Sequence, residues 1–226
     1  MLFALSTVAV LVLLVLYTGA RRKQSAARDL AKHYKELSET QKKKIATLEE
    51  KLNEAVKRCD FDPLTKVRNR RGLDKQIEIA TAYAERYSRP LSLMMVDLDD
   101  FKSINDSHGH HIGDRVLKDL ARIIEAHTRK SDIVARWGGD EMAILLPETN
   151  EATASEVAGK ISSAVAGHEF PVNGDFVRFT VSIGIASYPE SAADFTELEV
   201  KADEAMYVSK KKGKNCITEA TVMDTI

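Results

Sequence analysis

Three acidic residues and two glycines stand where they could handle phosphate. Asp97 closes a short apolar run, LSLMMV over 91–96, and Asp140 with Glu141 directly follows Gly138-Gly139. Carboxylates are hard oxygen ligands, and two or three of them with positions left open for water and phosphate suit Mg²⁺. A pair of such ions stabilises the attacking and leaving oxygens of a phosphoryl displacement. Glycines leave backbone amides uncovered, so a phosphate can come close. Singly, each of these residues also reads as turn chemistry or solvated surface. The set points to nucleotide chemistry.

Positioning this set requires the carboxylates to meet at one sheet edge. The 91–96 run, bounded by a polar stretch and an aspartate, predicts a buried strand. Residues 133–137 and 140–146 predict a hairpin that turns at Gly138-Gly139, since Gly-Gly tolerates positive φ. A second strand is predicted over 179–186 and a last one from Asn215. Helices are predicted over about 71–87, 113–127, 152–166 and 195–212. In the second of these, Val116, Leu117, Leu120, Ile123 and Ile124 share a face. Helices alternating with strands around one antiparallel hairpin imply an α+β fold, a central mixed β-sheet flanked by helices. A strand end and a hairpin tip can then bring Asp97, Asp140 and Glu141 together.

The net charge of −1 conceals three segments. Residues 2–20, LFALSTVAVLVLLVLYTGA, carry no Asp, Glu, Lys, Arg or His, and as a helix they extend ~28 Å, about the hydrocarbon thickness of a bilayer. Nothing basic precedes Leu2, while Arg21, Arg22 and Lys23 follow at once. These flanks fit a transmembrane helix with its basic side in the cytoplasm better than a cleaved signal peptide. Residues 21–58 hold 12 Lys/Arg against 6 Asp/Glu. Between 24 and 59 there is neither Gly nor Pro, which predicts one long helical linker over 21–59. Its seam (Leu30, Tyr34, Leu37, Gln41, Ile45, Leu48, Leu52, Ala55, Cys59) steps by threes and fours with a stutter at Gln41. That spacing fits a parallel coiled-coil dimer, with a solvated single helix as the alternative. Asp62-Pro63 ends it. The remaining residues hold 21 basic against 28 acidic side chains, which argues against a nucleic-acid partner. Cys59 and Cys216 have no paired spacing and read as two reduced cysteines.

Arg136-Trp137-Gly138-Gly139-Asp140-Glu141-Met142 resembles the signature of the GGDEF family, the diguanylate cyclases. The likeness covers about residues 60–220. It includes Asp62-Pro63-Leu64-Thr65, Asn69-Arg70, Asp97-Leu98-Asp99-Asp100-Phe101-Lys102, Ile104-Asn105-Asp106, Gly109-His110 and Gly113-Asp114. It continues through Val181-Ser182-Ile183-Gly184-Ile185-Ala186 and Ala202-Asp203-Glu204-Ala205-Met206-Tyr207 to Lys210, Gly213, Lys214 and Asn215. The resemblance implies a fold like the palm of polymerases and nucleotidyl cyclases, and condensation of two GTP into cyclic di-GMP. Two domains would meet as a homodimer, each holding one GTP with Mg²⁺ or Mn²⁺. Asp97, the Leu98 carbonyl and Asp140 match the metal ligands, and Asp140 and Glu141 the catalytic pair. Asn105, His110, Asp114, Gly138, Gly139, Lys210 and Lys214 match substrate contacts, with Asn105 and Asp114 as guanine readers. Arg129 and Asp132, an RxxD pattern five residues before the glycines, match a product-inhibition site; by itself the pattern is also an ordinary surface ion pair. Position 142 departs from the family, with Met for Phe. It carries no ligand atom, so activity is expected to persist, lowered at most. A non-catalytic receptor for GTP or cyclic di-GMP is the alternative reading. The expected location is the bacterial inner membrane, single-pass, with the catalytic domain in the cytoplasm.

Overall fold

The computed structural model describes the backbone of residues 2–172 and 175–223; within the first helix, side chains are described at 17–19, 21–24, 28, 30, 32–49, 51, 52 and 60. Helix α1 runs unbroken over Leu2–Asp60, as a sequence with no proline and a single glycine, Gly19, allows. The chain divides into two compact units, Met1–Val56 and Lys57–Ile226. No helix among the described residues is long and apolar enough to cross a membrane. The expected span, 2–20, has described side chains only at 17–19, so it lies almost wholly outside those residues. Of the linker seam, Leu30, Tyr34, Leu37, Ile45, Leu48 and Leu52 are exposed in the single chain.

In the second unit the elements follow as β1 (Arg68–Asn69), α2 (Arg70–Tyr87), β2 (Leu91–Leu98), α3 (Phe101–His108), α4 (His110–His127), β3 (Ile133–Gly138), β4 (Glu141–Pro147), α5 (Glu151–Gly167), β5 (Phe170–Val172), β6 (Asp175–Val177), β7 (Val181–Tyr188), α6 (Phe195–Lys211), β8 (Ile217–Glu219) and α7 (Ala220–Met223). Six strands form one sheet in the order β1-β3-β4-β2-β7-β8, while β5 and β6 pair separately. The outer pairs β1–β3 and β7–β8 are parallel and the inner pairs antiparallel, so the sheet is mixed as expected. Every residue of β2 is buried, because β2 lies at the sheet's centre with helices on both faces. On one face Met94, Val96, Met142 and Ile144 pack with Val116, Leu120 and Ile124 of α4 and Ala158 and Ile161 of α5. On the other, Leu93, Met95, Ala143 and Leu145 pack with Leu73 and Ile77 of α2 and Ala202 and Met206 of α6.

Local chemistry starts the helices where their caps stand. Asn69, Asn150 and Asp194 each accept from a backbone N–H three residues on, at 2.9, 3.0 and 2.9 Å, capping α2, α5 and α6. Three sequence readings needed correction. The helix expected from Gly113 begins at His110 and is preceded by α3, which positive φ at Asp100 and Gly109 separates from its neighbours. The strand expected over 179–186 runs from Val181 to Tyr188. The hairpin does not turn at Gly138-Gly139: Gly138 pairs with Glu141, so Gly139-Asp140 form the two-residue turn and a bulge falls between Arg136 and Gly138. Only Gly139 of that turn has positive φ (50°).

Gly184 of β7 sets the height of α6. A Cβ there would lie 2.1 Å from the Ala202 carbonyl oxygen and 2.1 Å from the Met206 nitrogen, both backbone atoms of the helix. Because neither can swing aside, Gly184→Ala is expected to lower stability by about 3 kcal/mol, the upper end of overpacking costs, measured by chemical unfolding. Unaltered stability would mean that α6 can move off the sheet freely.

Candidate functional site

The central pairing of the sheet assembles the acids. Asp97, next to last in β2, stands directly opposite Glu141, first in β4, and opposite Ser182 on its other side. Directly opposed residues of antiparallel strands project to the same face, with side chains a few ångströms apart. Asp140 precedes Glu141 in the turn, and its charge bears on both Asp97 and Glu141. The face they share is the one α6 covers. Ala202 and Met206 of α6 are buried there, and one turn beyond Met206 the Lys210 ammonium donates to Asp97 Oδ2 at 2.7 Å.

Burial pushes the Asp97 carboxyl up, and the hydrogen bond and charge of Lys210 only partly offset this while Asp140 and Asp99 add to it. Burial likewise raises Glu141, with Asp97 the strongest repelling charge, Lys210 opposing, and Asp203 and Asp140 adding to the repulsion. Carboxyls held above their usual range by burial and by neighbouring negative charge are short of positive charge. A divalent cation would supply it, so the acids fit a metal. Leu98 ends β2 opposite Val181 with its side chain in the core, which leaves its carbonyl as the group it could offer. Among the described residues, no group of three or more His, Cys, Asp or Glu is close enough together to hold a metal ion. The expected set of two carboxylates and one carbonyl does not require such a group.

The neighbouring aspartates have different partners. Asp99, buried, accepts from Thr180 Oγ1 at 2.6 Å, Ser182 Oγ at 2.7 Å and the Asn215 amide at 2.9 Å. It ties the turn after β2 to the start of β7 and the approach to β8. Asp100 accepts from the Lys214 ammonium at 2.6 Å, and that hydrogen bond holds Lys214 above its ordinary value. Both lysines matched to phosphate contacts therefore sit on carboxylates, one at the end of β2 and one in the turn that follows it. Asn105 on α3 is half-buried, whereas His110 and Asp114 on α4 are exposed. Gly138 and Gly139 are exposed at the hairpin tip.

Two residues that the sequence reading names without a role at the site hold that tip. Arg136 donates from Nε and Nη2 to the Gly139 carbonyl at 2.9 and 2.8 Å, and its Nη1 reaches both Asp62 oxygens at 3.3 Å. Asp62 Oδ1 also accepts from the Thr65 amide and hydroxyl at 2.8 and 2.7 Å. Trp137, displaced by the bulge, lies beneath the Arg70 guanidinium at 4.1 Å. Met142 is fully buried opposite Val96 and Arg136, so the departure from Phe is a change of core filling.

Arg129 and Asp132 lie elsewhere, in the turn between α4 and β3. Asp132 accepts from the Arg129 backbone N–H at 2.7 Å, which makes the motif a closed turn. The exposed Arg129 side chain lines a cavity of about 430 Å³ with Asp132, Phe61, Lys66, Arg68 and Gln76. The last four were not legible from spacing, because α2 and the segment before β1 reach this cavity only in the folded chain. Cys216 is free, its thiol donating to the Ser209 carbonyl; the Cys59 side chain is outside the described residues.

The family described as diguanylate cyclase, GGDEF domain, matches residues 59–216. The bifunctional diguanylate cyclase/cyclic di-GMP phosphodiesterase MucR of Pseudomonas aeruginosa is 37% identical over 171 residues, 75% of this chain and 25% of MucR. Diguanylate cyclase DosC of Escherichia coli is 38% identical over 174 residues, 76% of this chain and 38% of DosC. The chain thus spans well under half the length of these curated relatives. Among solved structures, the coiled coil and GGDEF domain of DgcB from Caulobacter crescentus in complex with c-di-GMP aligns with a TM-score of 0.73. It has 28% identity and covers 78% of this chain and 93% of that one. Diguanylate cyclase SiaD of Pseudomonas aeruginosa, in complex with its activator SiaC, aligns at 0.69 with 27% identity, covering 96% of this chain and 85% of that one.

Burial raises the Asp62 carboxyl, but the Thr65 hydrogen bonds and the Arg136 charge outweigh it and hold the group below its ordinary value. A carboxyl depressed by folding stabilises the fold above its unfolded value and ceases to do so as pH falls through its folded value. We expect Asp62→Asn to cost about 2 kcal/mol at neutral pH, as for hydrogen bonds to a charged group. That difference should shrink below about pH 4, where the unfolded carboxyl begins to protonate. Unfolding curves of both forms between pH 3 and 7 check it; a pH-independent difference would contradict it.

Proposed function

The chain belongs to the GGDEF-domain diguanylate cyclase family, and from that premise we propose that it condenses two GTP into cyclic di-GMP and two pyrophosphates. The observation that carries this reading is the opposition of Asp97 and Glu141 beside Asp140, with Lys210 and Lys214 at the same edge. Asp97, Asp140 and the Leu98 carbonyl would hold a divalent cation, Mg²⁺ or Mn²⁺, with Glu141 supporting them. When bound, that cation supplies charge to the α-phosphate and its leaving oxygen. Lys210 and Lys214 carry compact, mobile positive charge, suited to a triphosphate that arrives where Asp97 and Asp100 now hold them. Asp140, in the turn, would accept the proton of the attacking 3′-hydroxyl. Gly139 and Gly138 present backbone without side-chain cover. Asn105 offers a donor and Asp114 an acceptor to the guanine edge, and His110 a further contact.

Each chain would contribute one GTP, so the reaction needs a second copy facing the first. An exposed apolar seam on α1 supports pairing through a parallel coiled coil, since six apolar side chains there face water in a single copy. The uncharged residues 2–20 followed by Arg21, Arg22 and Lys23 support anchoring in the inner membrane with the catalytic domain in the cytoplasm. The cavity beside Arg129 and Asp132 supports feedback by the product. Arg129 can grip a phosphate and Asp132 can accept from a guanine edge.

The full chain, incubated with GTP and Mg²⁺, is expected to form cyclic di-GMP, resolved by chromatography, and Asp140→Ala to form none. Tight binding of cyclic di-GMP without turnover would instead identify a receptor. Progress curves of the intact chain should slow as product accumulates, and Arg129→Ala should remove that slowing; equal curvature in both would discard the inhibitory site. Met142→Phe should alter turnover by no more than about threefold, because volume-conserving core exchanges cost little.

A further inference from the structure

Gly113 lies on the buried side of α4, against α3. A Cβ built on it would stand 2.0 Å from Asn105 Oδ1, 3.0 Å from Asn105 Cγ and 3.1 Å from Phe101 Cζ. Asn105 Oδ1 is buried and makes no hydrogen bond among the described residues, although the residue as a whole is only half-buried. An amide oxygen left in such a place must be held there by shape, since an unmade hydrogen bond disfavours the arrangement. It occupies the space that a side chain on Gly113 would fill, where the glycine Cα–H groups form a weakly attractive surface for an oxygen and not for an NH₂.

We propose that Gly113 is a positioning residue for base recognition: by receiving Asn105 Oδ1 it turns the Asn105 NH₂ outward, as a fixed donor toward the purine. Oδ1 and Nδ2 share one planar group, so seating the oxygen inward directs the nitrogen away from α4. Asp114, the next residue on α4, is exposed, so an acceptor follows directly on the glycine that orients the donor. Phe101, packed against the same point, restricts the escape of the amide to rotation away from α4. The inference rests on the reading of Asn105 and Asp114 as base contacts and deepens it. It names the residue that chooses which end of the amide the base meets.

Such a role is separable from a packing role. The atom nearest the added Cβ is the end of a short side chain, so Asn105 can swing out and gain water for its oxygen. Gly113→Ala should therefore melt within a few degrees of the parent, unlike a substitution that meets backbone. Its affinity for GTP, measured by calorimetry on the full chain with a non-hydrolysable GTP analogue, should fall roughly 5- to 10-fold, the value of one neutral hydrogen bond. Affinity for the matching ATP analogue should change less than twofold. Asn105→Ala should reproduce the loss, and Gly113→Ala added to Asn105→Ala should cost nothing more, because the side chain it displaces is gone. Parallel loss for both analogues, or additive losses in the double variant, would overturn the inference and leave Gly113 a packing residue. If the parent chain itself does not prefer the GTP analogue, the base-contact reading fails first, and that result is read before any variant is made.

Discussion

The register of β2 against β4 carries the site. A shift of one residue would turn Asp97 to the opposite face of the sheet, into the apolar layer that α4 and α5 cover, and would break its opposition to Glu141. Two features protect that register. β2 alternates between two cores, so slippage would exchange Met94 and Val96 for Leu93 and Met95 in differently shaped layers. The bulge between Arg136 and Gly138 absorbs one residue of β3, which lets the two-residue turn at Gly139-Asp140 deliver Glu141 in step with Asp97. Arg136 then fastens the turn from below and anchors it to Asp62 at the start of the domain.

Charge at this edge is arranged for exchange. Asp97 and Glu141 are raised by burial and by neighbouring carboxylates, yet Lys210 and Lys214 already sit on Asp97 and Asp100. Only Asp99 is fully committed, with three hydrogen bonds from β7 and the segment before β8. A ligand bringing both cations and phosphates could take the lysines onto its phosphates and leave its cations with the acids. The acidic excess of residues 59–226 thus need not repel a triphosphate, because part of it stands where bound cations would reverse the local sign.

Much of this was legible in the linear order of residues. The apolar run before Asp97 and the amphipathic helix ending at His127 are local signals, and local signals specify elements. The mixed sheet followed from their alternation. What escaped has a physical reason in each case. Helix α3 is only eight residues long, opens on an aspartate with positive φ and carries one buried apolar side chain, Ile104, too few to show a period. The hairpin turn was misplaced by one residue because a bulge is invisible to a rule that counts pairs. The β5–β6 hairpin has three residues per strand and pairs with no other strand, so it leaves little alternation to detect.

By itself the sequence determined which residue types are available at the site: three acids around a strand end and a turn, two lysines around the end of a helix, an asparagine seven and an aspartate sixteen residues beyond the strand. It singled out Asp97 as the acid at the strand end but gave no role to Asp99 and Asp100, two further carboxylates within the next three residues. Only the tertiary structure decided that Asp99 is consumed in holding the turn, Asp100 is paired at the surface and Asp97 faces Glu141. The reason is that their partners, Thr180, Ser182, Asn215, Lys210 and Lys214, lie 80 or more residues away along the chain. They arrive only when β7 pairs with β2 and α6 settles onto Gly184.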